Sequence, residues 1–273
     1  MTFPRLRLAA LATVAAALLL ALPGCLEMDQ KIKIEASGKG TANVKVVVDQ
    51  AKMNELQEMM KQMGGGAQEQ SDPAEEMSPE SLRKMVKGNE KVRLVEASSS
   101  VDEETQKMTS SFKVEFDSLK DFFESGLASG SSVKLEKLAD GNYRFTSKMG
   151  GNQMPDDEAS VEQMKAMMMP MLEPYMSGFK TGISIELPTA IIETNGKKSG
   201  DRAVAYSVDF NGLFDAKNHK QTIVFSGEGL DWEPFSVSAD AMKKIRSEAL
   251  SDDAEEEEAE ATPSEPATPA PTR

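Results

Sequence analysis

The chain is poor in the residues that most chemistry needs: 273 positions hold one cysteine, one histidine, one tryptophan and three tyrosines. Each scarcity excludes something. With Cys25 as the only thiol, no internal disulfide can form and no thiolate cluster can hold a metal, so the fold must rest on its core. A Ser-His-Asp triad or a histidine metal site would have to pass through His219. Its setting in "DAKNHKQT" is polar and charged, which predicts an exposed loop histidine at a strand entrance. The nucleophile elbow, the P-loop and the dinucleotide glycine pattern are missing, and "GGGAQ" at 64–68 has neither the lysine nor the preceding strand of a phosphate cradle. Cations are short as well. Thirty-one Lys and Arg against 45 Asp and Glu leave a formal charge of −14, which argues against nucleic acid as a partner and against spreading over anionic headgroups.

Acids are plentiful, and a pair of carboxylates can hydrolyse a glycoside. With 45 of them, chance neighbours are unavoidable, and Asp156-Asp157-Glu158 ahead of a helix suits its positive N-terminal end. Carbohydrate sites also favour aromatic platforms, which Trp232 and three tyrosines supply poorly. The expectation is a protein that is not an enzyme and uses no cofactor and no metal.

Long hydrophobic runs are absent except at the start. After Arg5 and Arg7, Leu8 to Leu22 is uncharged and apolar. That is about fifteen residues, short of the roughly 20 that span a bilayer and suited to the core of a secretory signal. The run closes on Leu22-Pro23-Gly24-Cys25, which resembles the lipobox of bacterial lipoproteins, with Pro23 where Ala or Ser is commoner. The resemblance implies lipidation (diacylglyceryl, often palmitate-type acylation) at Cys25 and cleavage after Gly24. It also implies membrane anchoring on the exported side of the cell envelope. Two or three acyl chains hold where one is marginal. Leu26 follows Cys25 in place of the aspartate that retains many lipoproteins in an inner membrane, so an outer membrane is favoured if the host has one. Loss of Arg5 and Arg7 with residues 1–24 would take the formal charge from −14 to −16.

The far end is a different object. From Ser251 onward, "SDDAEEEEAEATPSEPATPAPTR" has eight acids, one arginine and no apolar periodicity, so it reads as a disordered acidic, Pro-rich tail over 251–273. It lacks the spacing and glycine of an EF-hand loop.

Between these ends, residues 25–250 read as a single α+β domain. "QKIKIEASGKGTANVKVVVD" alternates, turns at Gly38-Lys39-Gly40 and alternates again, which predicts a hairpin. A helix with Met53, Leu56, Met60 and Met63 on one stripe should follow and stop at Gly64-Gly65-Gly66. Ser78 and Pro79 open a second helix, which Gly88 closes. "KVRLVEASSSVDEETQKMTSSFKVEF" predicts another strand pair, and Ser118 with Asp121 has capping-box spacing before a short helix. A third hairpin turns at Asp140-Gly141, and Ser160 and Gln163 open the helix "VEQMKAMMMPMLEPYM". Four strands follow, then a last helix at 239–250. The expectation is a largely antiparallel sheet built from hairpins with helices packed on one face. A division near 150–159 is the alternative to one domain.

A lipobox cysteine, the charged hairpin around "SGKGTANVKVVVD" and the late strands "SIELPTAIIETNGKKSGDRAVAYSVDF" together resemble the LppM-type lipoprotein domain. The resemblance implies an α+β envelope domain linked to lipid binding, with no reaction attached.

Methionine is the compositional oddity: 18 in all. Met164, Met167, Met168, Met171, Leu172, Tyr175 and Met176 share one helical stripe, interrupted by Pro170 and Pro174. Three readings are open: filler for an irregular core, a re-packing surface for apolar ligands or partners, and thioether ligation of cuprous copper. Core filling is the favoured reading of the methionines as such, and the candidate site rests on the second. It is a non-enzymatic binding module in which Met164, Met167, Met168, Met171 and Tyr175 receive a lipid acyl chain or another apolar ligand. The rival is a scaffold contacting an envelope protein partner.

Overall fold

The computed structural model describes residues 26–62, 77–127, 131–149, 158–242 and 244–247. Cys25 and its signal, the Gly64–Gly66 stop, most of the 150–159 stretch and the 251–273 tail lie outside the described residues.

The first hairpin forms as its alternation requires. β1 (Leu26–Ile34) pairs antiparallel with β2 (Gly40–Asp49), Leu26 opposite Val48 and Ile34 opposite Gly40. Ala42, Val44, Val46 and Val48 are buried on one face, while Asn43 and Lys45 face solvent. Gly38 turns the chain at φ +87°, and a Cβ on Gly40 would overlap the Lys33 carbonyl oxygen and the Phe116 ring. α1 (Gln50–Gln62) follows, its Lys52 amide held by Asp49 Oδ1 at 3.1 Å. α2 (Pro79–Val86) starts on Ser78, whose Oγ accepts the Ser81 amide at 3.1 Å, and it buries Leu82 and Met85.

β3 (Val92–Asp102) and β4 (Lys107–Phe116) form the second hairpin, β4 also pairing with β2. α3 (Leu119–Glu124) opens on Ser118 at the expected spacing: its Oγ accepts the Asp121 amide at 3.1 Å and donates to Asp121 Oδ2 at 2.6 Å. β5 (Ser131–Lys137) and β6 (Tyr143–Met149) are the third hairpin. α4 (Glu158–Met176) precedes β7 (Lys180–Glu186), β8 (Ile191–Thr194), β9 (Lys197–Lys198), β10 (Ala203–Asp209), β11 (Lys220–Phe225) and β12 (Phe235–Val237). Residues 239–242 and 244–247 are helical, within the last helix expected from sequence.

The class is α+β and largely antiparallel, but the strands divide into two sheets, which corrects the single sheet expected. One runs β3-β4-β2-β1-β7-β10-β9 and the other β12-β5-β6-β11-β8. The chain after α4 alternates between them: β7 to the first sheet, β8 to the second, β9 and β10 back, β11 across again. β1 pairs with β7 in parallel, the exception to the antiparallel rule. One buried cluster draws on both sheets and on α2 and α3. Its aromatic part runs from Phe116 through Phe122 to Phe123, with centroids 5.1 and 5.3 Å apart, and on to Phe145 and Phe235.

Candidate functional site

α4 is built from good helix formers, Met, Ala, Glu, Gln and Lys, and begins at Glu158, ahead of the expected Ser160. It runs on through both prolines. Pro170 and Pro174 each lack an amide hydrogen, so the carbonyls of Ala166 and Pro170 lose their helical donors. Ala166 and Pro170 are both exposed, where water can serve those carbonyls. The helix ends at Met176, whose carbonyl accepts the amide of Phe179, the residue before β7, at 2.8 Å.

The helix stands apart from the main core, to which it contributes no residue. Val161 is its buried position. It lies against α1 and against a 3-10 turn at Asn211–Phe214, where Phe210 and Phe214 are buried and meet edge to face at 5.5 Å. Met164, Met168, Met171, Leu172, Tyr175 and Met176 are half-buried, and Met167 is 71% exposed. So the structure brings the five sequence-selected residues onto one helix, but not into the core. The same helix presents Ala159, Gln163, Ala166, Pro170 and Pro174 to solvent, with Glu162 and Glu173 exposed at the edge of that face and Lys165 half-buried. On α1, Met53 packs against the main core and Leu56 is half-buried. The Met60 side chain and Met63 lie outside the described residues.

His219 departs from its expected place. It is 4% exposed, with Nε2 2.6 Å from the Leu213 carbonyl. A carbonyl only accepts, so Nε2 carries the proton and donates, tying the 3-10 turn to the start of β11. A polar neighbourhood in sequence hid a buried residue because the 211–214 turn folds over it.

Three clefts open elsewhere. One of about 210 Å³ has Leu119, Leu135, Trp232 and Phe235 as apolar walls, rimmed by Lys120 and Glu233. Another of about 300 Å³ is edged by Lys197, Lys217 and Lys220 beside Tyr206, with no carboxylate in its wall. The third, about 390 Å³, lies on the polar outer face of the larger sheet. None of the three is walled by a residue of α4. Among the described residues, no three of His, Cys, Asp and Glu gather to hold a metal, and no helix is long and apolar enough to cross a membrane.

The Tyr206 hydroxyl donates to the Thr222 carbonyl at 3.0 Å, which leaves it to accept from Thr194 Oγ1 at 2.7 Å. Burial pushes its phenol above the usual range, and these hydrogen bonds oppose that only in part.

No protein-family model matches the sequence, and no curated protein does. Among solved structures, the chain is similar to the folded domain of the LppM protein of Mycobacterium tuberculosis, determined by NMR. The two are 11% identical over 75% of this chain and 92% of that one, with a TM-score of 0.37. A superposition that loose transfers no residue role, ligand or activity.

Proposed function

We propose that the protein is an envelope lipoprotein, tethered to its membrane through lipidated Cys25, with a non-enzymatic body that binds an acyl chain or other apolar segment along α4. The observation that supports it best is Met167, 71% exposed on a helix outside the main core, beside half-buried Met164, Met168, Met171 and Tyr175. Thioether side chains not locked into a core can re-pack around varied apolar shapes. The lipobox resemblance at Leu22-Pro23-Gly24-Cys25 supports the tether. A scaffold contacting an envelope protein is the second reading; no α4 residue walls any of the three clefts, which suits a partner's surface better than an enclosed chain.

Two measurements test it. Cys25→Ser should move the protein from the detergent phase to the aqueous phase in phase separation, or block removal of residues 1–24, and an unchanged partition with the signal removed elsewhere would refute the tether. The soluble Cys25→Ser chain should bind a fluorescent fatty acid, with Met167→Glu and Met168→Glu weakening binding at unchanged circular dichroism. Absence of binding in the folded chain favours the scaffold.

A further inference from the structure

We infer that the end of the molecule carrying α1 and α4 rests on the bilayer that holds Cys25, with the uncharged face of α4 around Met167 seated at the headgroup–acyl boundary. This rests on the tether proposed above, and it names the partner of the α4 surface as the lipid interface itself.

Strand register supplies the geometry. Leu26 lies opposite Val48, Glu27 beside Lys180, Lys180 opposite Asp209, and Asp49 opposite Lys107. One end of the larger sheet therefore gathers the start of β1, the start of α1 at Gln50, the approach from α4 into β7 and the 3-10 turn after β10. α4 touches α1 and that turn, both at this end. Cys25 is one peptide from Leu26, a Cα separation of about 3.8 Å. Leu26 is already in the ladder with Val48 and packs on the core, so the anchor has no slack linker. The opposite end of the hairpin, at Gly38, stands about 30 Å away at the rise of a strand. A lipid on Cys25 thus brings this end of the sheet, and not the other, to the membrane.

The chemistry of that end suits an interface. Ala159, Gln163, Ala166, Met167, Pro170 and Pro174 are exposed and uncharged; at the edge of this face Glu162 is paired with Lys165 at 3.8 Å, and exposed Glu173 can keep its carboxylate among the headgroups. The carbonyls of Ala166 and Pro170 lack helical donors and need water, so the helix should sit among headgroups and not in hydrocarbon. Glu55, Glu58, Asp102, Glu103 and Glu104 outnumber Lys52, Lys107 and Lys180 at this end, so the contact should need no anionic lipid.

The test uses the full lipidated chain in phosphatidylcholine vesicles. Acylation blocks Cys25, so Met167→Cys offers the one free thiol for an environment-sensitive fluorophore. Ala166→Cys is the second reporter, and Ser37→Cys, at the far turn, is the control. Bromination of the lipid acyl chains should quench the label at 167 and 166 several-fold more than at 37, with a blue shift at 167 and 166 alone. Equal, weak quenching at all three positions in protein that floats with the vesicles overturns the surface and leaves the tether standing. A label at 167 unquenched in vesicles but shielded in native envelopes overturns it in favour of a protein partner. Failure to float overturns the tether and the surface together.

Discussion

Tyr143 and Trp232, 89 residues apart, close a two-way hydrogen bond: the Tyr143 hydroxyl donates to the Trp232 carbonyl at 3.0 Å and accepts the Trp232 amide at 2.9 Å. Tyr143 is fully buried, and the Trp232 indole donates onward to the Ala36 carbonyl at 2.9 Å. One hydroxyl thus joins β6 to the segment before β12, and the indole joins that segment to the turn of the first hairpin.

Tyr143→Phe should leave that amide and carbonyl buried without partners. Each orphaned group costs about 1–3 kcal/mol, enough to lower the melting temperature by several degrees. Thermal unfolding followed by circular dichroism measures it; an unchanged midpoint would show that water takes the hydroxyl's place.

Tyr206 should make stability fall at alkaline pH. Its folded pKa lies above the unfolded value of 10.0, so the contribution is complete below pH 10 and is lost as pH rises toward and through the folded value. Urea midpoints of the parent should drop over that range, and the Tyr206→Phe chain should drop less. Parallel curves for the two proteins would contradict this.

His219→Ala should destabilise the fold by about 1–3 kcal/mol, because it orphans the Leu213 carbonyl and opens a void under the 3-10 turn. Fatty-acid binding at saturating protein should persist. A stability equal to the parent would mean that the ring is in fact solvent-exposed.

Gly40→Ala should cost at least about 1–3 kcal/mol, since the new Cβ meets a backbone oxygen and the buried Phe116 ring, neither free to withdraw. Denaturant titration gives the number, with Gly141→Ala as the contrast: at φ +83° it is strained, but nothing stands within 4 Å.

The hairpins were legible because each signal is local: a period of two, as in Val44, Val46 and Val48, ending at a glycine turn. Caps were legible for the same reason, Ser78 and Ser118 lying three residues from the amides they accept. The α4 stripe was also visible, since spacings of three and four place Met164, Met168, Met171 and Tyr175 on one side whatever they face. What it faces was not visible. Half-burial at the end of a sheet and full burial in a core demand the same periodicity.

The amino-acid sequence by itself determined the α+β class, the three hairpins and the caps of α2 and α3, because these follow from composition and from neighbours a few positions apart. The burial of His219 under the turn six residues before it, and the split into two sheets, the parallel pairing of β1 with β7 and the place of α4 against α1, were decided only by tertiary structure. The last three depend on contacts between residues tens to hundreds of positions apart, such as Glu27 beside Lys180, and the cost of closing such loops grows too slowly with length to mark one partner over another.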